Sequence, residues 1–291
     1  YPPNQKKNER TIDRPRRALM ARPIRLLSRA DIRTHMDENI SDQQGAGREF
    51  MERTKYRYLN RSDQEKGLPQ PPLELPADPT LPVIDLVPPE KIRVPPLDLR
   101  TAIERRHSVR SYEREPLSLE ELSFLLWCTQ GVKSVHGTQA TFRTVPSAGA
   151  RHAFETYVLA NDVDGLEPGL YRYLALSHRL SCVKADPDLH ISAAHACFDQ
   201  SFVMRCNAVF FWTAVPYRMT WRYGERGYRD LHLDAGHVCQ NLYLAAEAVS
   251  CGVCAIAAFD DDAMAGLLGI DGTTQVLIYL ATVGKCGGDR A

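Results

Sequence analysis

Neither sign of charge is in excess in this 291-residue chain, where 36 Lys and Arg meet 36 Asp and Glu. Without a net field, nothing global points to nucleic acid or an anionic membrane as a partner. No uninterrupted apolar run approaches the roughly 20 residues that a spanning helix requires. Neither a GxGxxG nor a P-loop pattern is present, which argues against a Rossmann domain, and there is no internal repeat. Arg16-Arg17 has twin-arginine character, but Arg22, Arg25 and Arg29 interrupt any apolar segment behind it. A soluble, cytoplasmic protein is therefore expected. The eight cysteines sit in mostly apolar surroundings and do not read as a disulfide framework. Cys251 and Cys254 have metal or redox spacing without the second pair a zinc site needs, so no metal is expected.

What is present is unevenly distributed. Fourteen of 19 prolines fall in residues 1–98. Residues 1–33 carry ten basic and three acidic side chains with almost no periodicity, the pattern of an arm without a core of its own. Residues 47–66 suggest a short helix. The proline-rich stretch 67–96 reads as extended, with an edge strand near residues 81–87. Residues 1–96 are thus expected as an arm and wrapped segment, and residues 97–291 as a compact domain.

Within that domain, Ser118 and Glu121 form a capping box before Leu122, Leu125 and Leu126, and Gly131 ends the helix. Strands are expected at 154–160, 208–215 and 275–283, with a hairpin over 169–183. Helices are expected from Asp186 to Phe198, from His232 to Ser250, and from Asp260 to Gly269. Residues 132–150 read as loop. Helices and strands alternate without a regular βαβ rhythm, which predicts an α+β fold.

Four segments could carry chemistry. Residues 103–112 hold Arg105, Arg106, His107, Ser108 and Arg110, a donor-rich strip suited to phosphate oxygens, or else a basic helix end. Residues 143–150 hold Ser147 and Gly149 in a small-residue turn that lets backbone amides approach a ligand, or is a plain turn. Residues 252–260 are small and apolar, fitting a flat aromatic ring or a buried strand. Residues 221–229 mix aromatic and basic side chains with glycine breaks, as in a functional loop or a solvated charged one.

In this order the segments read Arg-Arg-His-Ser-x-Arg-x-Tyr, Pro-Ser-Ala-Gly-Ala-Arg-His, Pro-Gly-Leu-Tyr-Arg-Tyr and Trp-Arg-Tyr-Gly-x-Arg-x-Tyr-Arg. Asp-Ala-Gly-His-Val-Cys-Gln-Asn-Leu-Tyr-Leu and Gly-Val-Cys-Ala-Ile-Ala-Ala-Phe-Asp-Asp follow. Over about residues 97–285 the chain resembles the nitroreductase superfamily, in particular its SagB/ThcOx-type branch of FMN-dependent dehydrogenases. The resemblance implies a three-layer α+β sandwich, a central, mostly antiparallel sheet flanked by helices, of obligate-dimer type. It implies FMN held by Arg106, Ser108 and Arg110, with His107 adjacent. Pro146, Ser147, Ala148 and Gly149 would reach the flavin from the second subunit of a homodimer. Ile256, Ala257 and Ala258 would lie along the ring near N5, with Gln200 also facing the cofactor and Lys285 or Arg290 near the phosphate.

Azoline oxidases of that branch use a Lys-Tyr pair, and the matching residues are Arg222-Tyr223. Arginine stays protonated and cannot be a general base. That leaves Tyr223 as acid/base and Arg222 as a stabiliser of developing negative charge, or a different substrate. The implied reaction is FMN-dependent dehydrogenation of azoline rings in peptides. The alternatives are NAD(P)H-dependent reduction of nitro compounds or quinones, and a non-catalytic flavin-binding subunit of a peptide-modifying complex.

Overall fold

Residues 45–287 are described in a computed structural model of the chain; the basic arm expected over 1–33 and Arg290 lie outside them. The chain divides into two units, Tyr1–Phe50 and Met51–Ala291. Of the first, only the opening of helix α1 (Ala46–Arg53) is described. The boundary puts residues 51–96, which include the wrapped segment expected before residue 97, in the same unit as the sheet.

The second unit is built on strands β1 (Val83–Asp85), β4 (Phe154–Ala160), β5 (Gly169–Leu174), β6 (Arg179–Ala185), β7 (Ala208–Ala214), β8 (Cys251–Ile256) and β9 (Val276–Lys285). They form one sheet in the order β1-β6-β5-β4-β7-β9-β8, antiparallel at every pairing. β4 and β7 are buried along their whole length; β7 is almost wholly apolar, whereas β4 also buries Glu155 and Thr156. β2 (Val132–His136) and β3 (Ala140–Arg143) form a separate hairpin inside the stretch read as loop. Its polar composition and exposed outer residues hid it.

Alternation along the strands gives the sheet two apolar faces. On one, Phe210, Trp212, Val158 and Tyr173 pack against helices α3 (Leu119–Gln130) and α6 (Gly227–Ala248), through Leu122, Leu126, Leu231, Val238 and Leu242. On the other, Phe211, Val209 and Leu280 pack against α4 (Leu189–Ala196) and α7 (Asp261–Leu268). The result is helix, sheet, helix: the expected three layers. Fully burying one such large side chain contributes about 1.5–3 kcal/mol. Cys251 faces the first layer and Cys254 the second, because residues three apart on a strand point to opposite faces. Their spacing therefore cannot bring the two thiols together.

The expected capping box on α3 is present, Ser118 accepting from Glu121 and Glu121 from Ser118. Asp98 likewise caps α2 (Leu99–Arg105). α4 is shorter than expected, because Asp186-Pro-Asp spends its length on a turn. The stretch 221–229, read as a loop, is largely helical. α5 (Pro216–Tyr223) and α6 are separated only by a single turn over Gly224–Arg226, where Gly224 takes φ 54°. α6 thus starts five residues earlier than expected.

The proline-rich strap explains why residues 51–96 belong with the sheet. Prolines have no N–H, so its carbonyls must find donors elsewhere. Buried arginines supply them. Arg218 donates to the Pro72 carbonyl at 2.7 Å, and Arg172 donates to those of Leu75 and Pro76 at 3.2 and 2.9 Å. Trp221 donates to the Leu68 carbonyl. Farther along, β1 pairs with β6 as the expected edge strand. Arg218 and Glu155 form an ion pair of 2.6 Å with both side chains almost fully buried, and Glu155 also accepts from the Leu75 N–H. Truncating one member of such a pair strands the other. Arg218→Ala should therefore lower unfolding free energy by about 3–5 kcal/mol in denaturant titration.

Candidate active site

The strip 106–110 begins where α2 ends. Val109 N–H donates to the Val253 carbonyl at 2.9 Å, and Ser108 bridges Val253 in parallel, so the strip lies along the open edge of β8. Gly252 makes this approach possible: a Cβ there would stand 2.6 Å from Val109 Cβ. Tyr243 on α6 pins the arrangement. Its hydroxyl accepts from Ala255 N–H at 2.9 Å and lies 3.0 Å from Ser108 Oγ, while the Arg106 guanidinium sits 5.4 Å from its ring centroid. Arg110 reaches Cys254, partly offsetting the burial that raises that thiol's pKa. Among the described residues, no ion pair neutralises Arg105, Arg106 or Arg110. An exposed serine and these three arginines are therefore open to an anion.

The end of β8 completes this wall. Ile256 is buried in the core, leaving Ala257 and Ala258 exposed as the small, flat part. Gln200 donates to the Ala258 carbonyl at 3.1 Å and to that of Cys197 at 2.9 Å, tying the segment to the end of α4. His107 is turned aside, its Nδ1 donating to the Arg105 carbonyl. Lys285 does not join the strip. Its ammonium is held by Glu121 at 2.6 Å, with Glu115 at 3.9 Å and the Val249 carbonyl at 3.4 Å. The capping-box glutamate thus has a second task that its sequence role did not reveal.

A second wall forms around the turn 146–152. Asp234 on α6 accepts from Ala148 N–H at 3.3 Å, and Ser147 also hydrogen-bonds its carboxylate. Burial raises the Asp234 pKa, and these two contacts oppose the shift. Gly149 takes φ 55°, and a Cβ on it would stand 2.3 Å from the Tyr223 hydroxyl and 3.2 Å from Arg222 Nε. Arg222 in turn lies 5.6 Å from the Tyr223 ring centroid. Arg151 donates to the Gly149 carbonyl and stacks over Trp221 at 5.6 Å. His152 is buried; burial, then the Arg143 charge, lowers its pKa to about 3, so it is a neutral structural group at physiological pH. Pro146 is exposed.

The structure thus joins Ser147, Ala148 and Gly149 to Arg222 and Tyr223, and separately joins Arg106, Ser108 and Arg110 to β8. Two organisers of these walls were missed by sequence reasoning: Asp234 and Tyr243. Both lie in the quoted Asp-Ala-Gly-His-Val-Cys-Gln-Asn-Leu-Tyr-Leu stretch of α6, but nothing in their spacing assigned them a role. Nine residues on a helix make about 13 Å of rise and about half a turn of rotation, so they mark opposite edges of its buried face. Among the described residues, no His, Cys, Asp and Glu side chains gather to hold a metal, and no helix is long and apolar enough to cross a membrane.

The model of the Nitroreductase family matches residues 103–285. A Methanocaldococcus jannaschii protein named as a nitroreductase, MJ1384, is 36% identical over 183 residues, covering 62% of this chain and 90% of that protein. The trifolitoxin-processing protein TfxB of Rhizobium leguminosarum bv. trifolii is 32% identical over 172 residues, 54% of this chain and 46% of its own length. A solved structure named as a nitroreductase, from Anabaena variabilis, superposes with TM-score 0.60 at 29% identity, covering 72% of this chain and 42% of that one. The chain therefore spans less than half of the last two proteins.

The close packing at Gly252 is testable. Gly252→Ala should lift the strip from β8 and weaken FMN binding at least roughly tenfold in a titration, while Gly266→Ala, with open space around it, should leave affinity unchanged.

Proposed function

Since the chain belongs to the nitroreductase family and is an FMN-dependent oxidoreductase, we propose that it dehydrogenates azoline rings in a peptide, with Tyr223 moving the proton. The observation that carries this reading is the packing of the Tyr223 hydroxyl and Arg222 against Gly149.

The residues present fit FMN. Arg106, Ser108 and Arg110 offer unneutralised donors for its phosphate, and exposed Ala257 and Ala258 admit a flat ring. Converting an azoline to an azole removes two hydrogens, one as hydride and one as a proton. FMN, held by Arg106, Ser108 and Arg110, would supply the two-electron acceptor for that hydride. Tyr223 takes the proton as its phenolate and becomes the neutral phenol. The Arg222 guanidinium, 5.6 Å from that ring, stabilises the negative charge, which sits on the phenolate before the transfer and passes to the substrate ring in it. Arginine in place of the branch's lysine thus acts by charge, not as a base. TfxB, named for processing a toxin, supports a peptide substrate.

The site is shared between two copies of the chain. The two walls lie at opposite edges of α6 within one copy, so a single flavin that touches both draws the second from a partner copy. Leu99 and Ile103 on α2 and Leu233 on α6 are more than half exposed, an apolar face suited to such a partner. Reduction of nitro compounds by NAD(P)H is the second reading, favoured by the name of the Methanocaldococcus relative.

Arg106→Ala combined with Arg110→Ala should release FMN, read as flavin lost on gel filtration; retained flavin would remove the phosphate assignment. Anaerobic mixing separates the two reactions: a thiazoline peptide should bleach the flavin absorbance, whereas bleaching by NADPH alone would favour the reductase. Tyr223→Phe should slow peptide-driven bleaching roughly 100-fold with FMN still bound, and full speed would clear Tyr223 of proton transfer.

A further inference from the structure

Asp234 is 4% exposed, yet one of its carboxylate oxygens, Oδ2, has no hydrogen-bond partner. A buried polar atom left unsatisfied costs about 1–3 kcal/mol, so its presence calls for an explanation in what the rest of the group does. The other oxygen, Oδ1, is the one that is engaged. It takes the Ala148 N–H at 3.3 Å and the Ser147 side chain, and Ser147 Oγ also accepts from His152 N–H at 2.9 Å. The chain between them is held in a costly conformation: Gly149, Ala150 and His152 have φ of 55°, 53° and 43°. Left-handed backbone at non-glycine residues persists only where the surroundings over-determine it. The product of this restraint is the place where Gly149 meets the Tyr223 hydroxyl.

We propose that Asp234 is a positioning residue for Tyr223: by anchoring Ser147 and Ala148 it sets the height of Gly149, and so the position of the hydroxyl packed on it. The carboxylate itself touches neither Tyr223 nor a reacting atom. Asp234 is held on a 22-residue helix whose far half carries Tyr243, so the anchor is as rigid as the helix. The kinetic consequence rests on Tyr223 as the proton-transfer group; the geometric content does not.

The test uses the FMN-loaded protein with 3-fluorotyrosine at position 223. Asp234→Ala should shift or broaden the fluorine resonance, and Asp234→Asn, which keeps an acceptor oxygen for Ala148 and Ser147, should restore it. An unmoved resonance in Asp234→Ala overturns the proposal. Should that variant fail to fold, Ser147→Ala removes the same link and must shift the signal; an unmoved signal there also overturns it. In turnover, Asp234→Ala should lower kcat about tenfold with KM within threefold, the size expected for a small misplacement. Asn should recover most of the loss. Against a Tyr223→Phe background, Asp234→Ala should cost nothing further, whereas additive losses overturn the proposal. A fluorine shift alongside a fully active Tyr223→Phe would remove proton transfer from Tyr223 and leave the positioning role standing.

Discussion

Helix α6 has to bury one continuous face against the sheet and α3, and the rest of the site follows from that. Leu231, Ala235, Val238, Leu242 and Ala246 make the face, and small residues among them let the helix sit close. The residues at its two margins are then buried at the rim of the core. Asp234 stands on one margin and Tyr243 on the other, each with a polar group that burial leaves in need of a protein partner. Asp234 draws in the turn after β3, and Tyr243 draws in the strip after α2. Two chemically distinct walls are therefore referenced to one rigid rod.

Much of the fold was legible in the sequence because the relevant signals are local. The capping box at Ser118 and Glu121, the Asp260 start and Gly269 stop of α7, and the mainly apolar, β-branched and aromatic runs of β4, β7 and β9 each specify their element without help from elsewhere. What escaped needed tertiary context. Trp221-Arg-Tyr-Gly-Glu-Arg-Gly looks like a loop to any local rule, yet Trp221 and Met219 are anchored in the interior, and helix forms on both sides of one glycine. The β2–β3 hairpin escaped because its exposed outer residues break the expected alternation.

The site was legible in pieces but not as an assembly. The arginine strip could be named from its donor density, and Gly149 from the small-residue turn around it. Sequence alone could not say that Gly149 would abut Tyr223, some 70 residues on, since that contact is created by α5 returning past the turn. Nor could it separate Lys285 from the strip: a basic residue at the end of β9 looks available until Glu121 is seen to hold it. Asp234 was visible only as one letter of a motif, because its importance lies in the two groups it holds.

The proline-rich strap has one more consequence. It is recognised through its carbonyl oxygens, which every amino acid carries, by Arg143, Arg172, Arg218 and Trp221. Much of the information that places it resides in the receiving surface, to which the segment adds Gln70, donating to the Thr138 and Gln139 carbonyls, and Glu74, accepting from the Leu176 N–H. The strap is thus largely a generic ribbon read by a specific socket: apart from Gln70 and Glu74 its letters can drift while its extended course is kept, but each arginine of the socket is tied to a fixed spot. Sequence divergence in this region should accordingly be lopsided, loose along most of residues 68–76 and tight at Gln70, Glu74 and the arginines that grip the strap.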